Sequence, residues 1–209
     1  MDNELRYRES IEWQNIWWEQ ANNPDIDRIA LLGDSVTRGY RSRLNKQLGG
    51  KCVVDLCASS SQITDSLLWK EYKFFLDCNE WKYNKIVLHA GGQHGHEIRC
   101  CESEVYSGLF KSSYKDLIEK LILYCSDILV VSSTPCVEKT NLTKWDTYRN
   151  KELEKRNQLT KEAAEELKLI YIDIWTPLIE ADYEYSDYIH VKEEGNGFIA
   201  GYLYEYLGQ

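Results

Sequence analysis

The stretch RIALLGDSVTRGY, Arg28–Tyr40, decides the fold. Its opening residues, Arg28–Leu32, read as a buried strand; glycine and aspartate interrupt the run, and a helical spacing follows over Val36–Leu48. The same strand-to-helix unit recurs along the chain. Strands are expected near Cys52–Leu56, Lys85–His89, Ile128–Ser132 and Ile170–Asp173, and shorter helical patterns cover Ile63–Leu76. Phe110, Tyr114, Leu117, Ile118, Leu121, Ile122 and Cys125 repeat at three and four, which marks an amphipathic helix. Arg149–Lys168 is another, with Leu153, Ala163, Ala164 and Leu167 inward. This alternation predicts an α/β domain: a parallel five-stranded sheet, right-handed crossovers, and helices on both faces in a three-layer α/β/α sandwich.

The length of 209 residues suits one domain, expected over residues 28–209, that buries roughly 70% of its unfolded surface. With 43% hydrophobic and 28% charged residues and only three prolines, the composition is that of a globular protein. Residues 1–27 form a Trp-rich extension in which IEWQNIWWEQ sets Trp13, Ile16 and Trp17 on one helical face. A helix packing its tryptophans against the domain is expected there, with a partner or sugar-binding surface as the alternative.

A net charge of -9, with the basic residues scattered among acids, argues against a nucleic-acid partner. No window reaches 18 uncharged apolar residues, so no membrane span is expected. Met1–Arg28 lacks the apolar run of a secretory signal, and the expectation is a cytoplasmic protein. The seven cysteines are an odd number lying mostly in apolar segments, which fits reduced thiols. Cys100-Cys101 lacks zinc-site spacing, and no metal or other cofactor is expected. Nothing in the sequence fixes an oligomeric state.

Ligands of open α/β sheets sit beyond the carboxyl ends of the strands. Ser35 falls at such an end, where a helix N-terminus favours a developing oxyanion. Asp34 or Ser35 is equally suited to capping that helix. Near the C-terminus, YSDYIHVKEEGNGFIAGYL, Tyr185–Leu203, sets Asp187 and His190 three apart in a turn before an apolar helix. A carboxylate at that spacing can orient an imidazole as the base for a serine hydroxyl.

Between them lies LHAGGQHGHE, Leu88–Glu97, open to three readings: metal site, phosphate loop or active-site loop. His94, His96 and Glu97 offer ligand atoms, but i and i+2 side chains of an extended loop point apart and no fourth ligand is evident. A phosphate loop lacks its G-K-[ST] and its helix. His89, at the strand end, reads as a buried, hydrogen-bonded residue. Arg38 and Arg41, one helical turn beyond Ser35, either pair with acids such as Asp34 or Asp65 or, at the mouth of a site, hold an anionic substrate. Asp34, Arg38 and Arg41 are therefore substrate-binding candidates.

The blocks GDSVTRGY and DYIHVKEEG, with a Gly-rich loop between them, resemble the SGNH/GDSL hydrolases over nearly the whole chain from about Arg28. Ser133–Pro135 and RNQLTKEAAEELKLIYIDIW also sit where that family has corresponding segments. The resemblance implies a flavodoxin-like domain with Ser35 as nucleophile, His190 as base and Asp187 as its orienter. It also implies three oxyanion donors: the nucleophile's N–H, a Gly N–H after the second parallel strand, and an Asn side chain in a G-x-N-D loop after the third. Ser60, with Ser59 beside it, replaces that Gly, and a backbone N–H can still donate. Gln93 replaces the Asn and His94 the Asp; the Gln amide lies about 1.5 Å further out, so either Gln93 or His94 is the donor. The implied activity is cleavage of an O-acetyl or short acyl ester on a carbohydrate through acyl-Ser35, with a small-molecule or glycan ester as the partner. An O-acyltransferase acting on a glycan and a catalytically silent binding protein are the alternatives.

Overall fold

The computed structural model describes residues 11–90 and 104–207, with eight strands and six helices among them. In chain order these are β1 (Gln14–Trp17), β2 (Asp27–Gly33), α1 (Ser35–Gln47), β3 (Cys52–Ser59), α2 (Ser66–Asp77), β4 (Lys85–His89), α3 (Glu104–Ile122), β5 (Ile128–Val131), β6 (Val137–Glu138), β7 (Asn141–Trp145), α4 (Thr147–Glu166), β8 (Ile170–Ile172), α5 (Trp175–Ala181) and α6 (Glu193–Leu207). The main sheet runs β1-β3-β2-β4-β5-β8. Its last five strands are parallel, as the β-α alternation demands.

Alternation along β2 divides the core between the two faces of the sheet. Ile29 and Leu31 join Val54, Leu56 and Val87 under α1 and α6. Ala30 and Leu32 join Ile86, Leu88 and Val130 under α2 and α3. Each fully buried Leu or Ile of these layers contributes about 1.5–3 kcal/mol, and β2, buried on both faces, becomes the rigid rail that carries Ser35.

The N-terminal segment departs from its helical reading. Gln14–Trp17 is a strand, antiparallel to β3 with Gln14 opposite Ser59 and Trp17 opposite Leu56, so the sheet has six strands and is mixed. A bare β3 edge supplies backbone donors and acceptors that a short isolated helix lacks. Period two replaces period 3.6: Ile16 and Trp18 pack on one core cluster and Trp13 on the other. Trp17, expected inward, is 53% exposed.

The connection from β1 to β2 is pinned from within. Arg28 is fully buried, pairs with Asp55 at 2.9 Å, donates to the carbonyls of Glu19, Gln20 and Asn23, and lies 3.6 Å from the Trp81 ring centre. Burial pushes the Asp55 carboxyl up, opposed by hydrogen bonds from Glu19 N–H, Arg28 and Tyr83. No helix among the described residues is long and apolar enough to cross a membrane.

Candidate active site

The corner after β2 is built for close approach. A Cβ on Gly33 would run into the Thr37 side chain and the His89 carbonyl, so only glycine lets β2 pass β4 and turn at once. Asp34 then caps α1: its carboxylate accepts the Val36 N–H at 2.9 Å and its carbonyl accepts the Thr37 hydroxyl at 2.5 Å. Both roles hold Asp34 inside the protein at 3% exposure, so the carboxylate serves the helix, not a substrate as expected. Ser35 becomes the first helical residue, with its N–H among those a helix leaves unpaired.

The Asp187–His190 turn folds back onto this corner. A bridge between Tyr185 and Val191 and the Ser186 N–H to His190 carbonyl bond, 2.8 Å, close the turn. Within it, one Asp187 oxygen accepts the N–H groups of Ile189 and His190, both at 2.8 Å. The other lies 2.7 Å from His190 Nδ1, and His190 Nε2 lies 2.7 Å from Ser35 Oγ. An ionised carboxylate can only accept, so Nδ1 carries the proton and Nε2 is left to accept from the Ser35 hydroxyl. Burial would raise the Asp187 carboxyl, but the bonds from His190 and the Ile189 N–H outweigh it and hold the group below the ordinary carboxylate range. Three residues from the two ends of the chain thus form one hydrogen-bonded series that faces solvent, with His190 34% and Asp187 48% exposed at the side chain.

A short hairpin, β6 and β7, braces this turn and was not legible beforehand. Val137 N–H donates to the Tyr188 carbonyl at 3.0 Å, and the Tyr185 hydroxyl donates to the Pro135 carbonyl at 2.9 Å. Trp145 meets Tyr185 edge-on, and beside them opens a cavity of about 330 Å³ lined by Val137, Trp145, Tyr183, Tyr185 and Lys192.

The remaining candidates divide. His89 is buried as expected, 3.0 Å from the Tyr40 hydroxyl through Nδ1, and burial pushes its imidazole down. Arg41 is a structural residue, contrary to its substrate-binding reading: it is 7% exposed, donates to the Val54 carbonyl at 2.8 Å and pairs with Glu19 at 2.6 Å. Asp65 caps α2. Arg38 stays exposed on α1, with its guanidinium 5.3 Å from the Trp13 ring centre.

Ser60 does not offer the free N–H expected of it. That N–H donates to the Trp13 carbonyl at 3.0 Å, because β1 extends the sheet past the end of β3. Its hydroxyl accepts the Trp13 N–H at 2.8 Å and donates to Glu12 at 2.6 Å. Next to it, the Ser59 hydroxyl donates to Glu71 and accepts the Ser61 N–H. Trp13, expected to pack on the domain, does pack against the core, and from just before β1 its carbonyl also takes up the Ser60 N–H. Gln93 and His94, like His96, Glu97, Cys100 and Cys101, lie outside the described residues. Among the described residues no three His, Cys, Asp or Glu side chains converge as metal ligands.

No protein-family model and no curated protein matches the chain. Solved structures do. The acetyl xylan esterase AlAXEase superposes with a TM-score of 0.66 at 16% identity, covering 86% of this chain and 99% of its own. Axe2, an acetylxylan esterase from Geobacillus stearothermophilus, gives 0.61 at 13% identity, over 88% and 94%. A GDSL-like lipase candidate from Parabacteroides merdae gives 0.63 at 13%, over 88% and 98%. At these identities the likeness is one of fold: the chain shares the α/β architecture of these esterase and GDSL-like lipase structures.

Proposed function

On that fold, we propose that the protein is a serine esterase that cleaves O-acetyl or other short acyl groups from a carbohydrate. The observation that carries the reading is the series Ser35 Oγ, His190 Nε2, His190 Nδ1, Asp187, with 2.7 Å at each hydrogen bond. Ser35 attacks the acyl carbonyl as its proton passes to His190, and Asp187 stabilises the imidazolium. The imidazolium returns the proton to the departing sugar hydroxyl, leaving acyl-Ser35; water, deprotonated by the same ring, releases the acid. The oxyanion is held by the Ser35 N–H at the positive end of α1 and by Gln93 or His94.

Two of the neighbouring structures carry acetyl xylan esterase as their name, which supports the carbohydrate ester. The Trp145 and Tyr183 rings in the cavity beside the catalytic turn supply faces on which a sugar can stack. The fully buried thiol of Cys57 suits a reducing, cytoplasmic setting.

Hydrolysis of p-nitrophenyl acetate by the wild type and by Ser35→Ala tests the chemistry. Loss of turnover in the variant is expected, and equal turnover would overturn it. A sugar acceptor that diverts the acetyl group from water would redefine the protein as a transferase.

A further inference from the structure

The arginines of the described residues are almost all committed. Arg28 pairs with Asp55, Arg41 with Glu19, Arg43 with Glu193 and Arg149 with Asp146. Arg38 has no carboxylate partner among the described residues, yet its position is the most exposed to function. It follows Ser35 by three residues on α1, which sets their Cβ atoms about 5–6 Å apart on one helix face. The opposite run of α1, through Val36, Thr37, Tyr40, Arg41 and Leu44, is buried. Gly39 is packed against Asn196 of α6, so Arg38 leans the other way, toward β1.

There it meets a platform with a fixed orientation. Trp13 is tied to Ser60 by two backbone contacts, its N–H to the hydroxyl at 2.8 Å and its carbonyl from the N–H at 3.0 Å. Ser60 lies just beyond Ser59, and in the sheet register Ala58 of β3 stands opposite Gly33, two residues before the nucleophile. The Trp13 ring, with the Arg38 guanidinium 5.3 Å from its centre, therefore stands beside the Ser35 corner. An aromatic face restricts where a guanidinium can go while leaving its N–H fork free. Glu12, the residue before Trp13, is engaged by the Ser60 hydroxyl at 2.6 Å.

We infer that Arg38, steadied on Trp13, is a specificity-determining residue that binds a carboxylate on the ester substrate, either in the acyl group or on the sugar. The inference rests on the esterase reading above. A planar fork matches a carboxylate bidentately, and in a protein of net charge -9 a guanidinium beside Ser35 with no carboxylate partner among the described residues favours the approach of an anionic substrate.

The test compares kcat/KM for esters with and without a carboxylate, in the wild type, Arg38→Gln, Arg38→Lys and Trp13→Ala. p-Nitrophenyl hemisuccinate against p-nitrophenyl acetate probes the acyl side, and O-acetylated glucuronate against O-acetylated glucose probes the sugar side. On at least one side the wild type should favour the anionic ester. Arg38→Gln should lower that preference by about tenfold, and Arg38→Lys should recover only part of it. Trp13→Ala should lower it less, and added salt should weaken it in the wild type. A preference that survives Arg38→Gln, or its absence on both sides, overturns the inference while leaving Ser35-dependent hydrolysis standing. Failure of the esterase reading would instead appear as turnover that survives Ser35→Ala.

Discussion

Replacing Asp187 by Asn keeps the shape of the Asp187–His190 turn and changes one proton. The Asn carbonyl oxygen can still accept the Ile189 and His190 N–H groups, both 2.8 Å away in the native turn. Its amide then points two donors at His190 Nδ1, where the native carboxylate accepts at 2.7 Å. The ring answers by moving its proton to Nε2, the atom that must accept from Ser35 Oγ. In buried Ser-His-Asp systems that inversion lowers kcat about 10⁴-fold. Here Asp187 is 48% exposed at its side chain, so water can compete for Nδ1 and the expected loss is smaller, about 10²- to 10³-fold. Steady-state hydrolysis of p-nitrophenyl acetate measures it, with circular dichroism and the melting temperature showing that the turn is intact. A variant that keeps a third or more of the native kcat, or one that loses activity only because it unfolds, would refute the tautomer argument.

Other expectations test the frame around the site. Gly33→Ala should lower stability by about 1–3 kcal/mol, read in urea, because the new methyl meets the His89 carbonyl as well as Thr37. Arg28→Met leaves the fully buried Asp55 carboxylate without its partner and should cost about 3–5 kcal/mol; a change below 1 kcal/mol would mean that Asp55 is neutral in the folded protein. His89 is held neutral by burial, with its folded-state pKa depressed. Below about pH 6.5 the unfolded chain takes up that proton first, so stability falls with pH by at most about 1.4 kcal/mol per unit. His89→Gln should flatten that slope between pH 6.5 and 5; an unchanged slope would show that other groups carry it.

The inner parallel strands β2, β3, β4 and β5 were legible because each is buried on both faces and reads as an apolar run, and Lys85–His89 was placed to the residue. Ser35, Asp187 and His190 were legible for a related reason: a strand end, a helix start and a tight turn are set by local sequence, and the fold then joins them. What escaped was set by distant partners. IEWQNIWWEQ satisfies helical and strand spacings alike, and only the open edge of β3 decides between them. That one misreading carried others with it, since Trp13, just before β1, takes up the Ser60 N–H, and the turn after β1 brings Glu19 to Arg41. The β6–β7 hairpin has two-residue and five-residue strands, too short for a period to show. Asp34 carried both a capping and a binding reading, and burial at 3% exposure selects the first.

The central claim is that Ser35 is a nucleophile activated by His190. Its most direct test is to treat the protein with a fluorophosphonate and identify the modified residue by mass spectrometry of the digested chain. The adduct should sit on the peptide containing Ser35, form quickly in the wild type and slow sharply in His190→Ala. An unlabelled Ser35 in folded wild-type protein, or labelling at the same rate without His190, would contradict it.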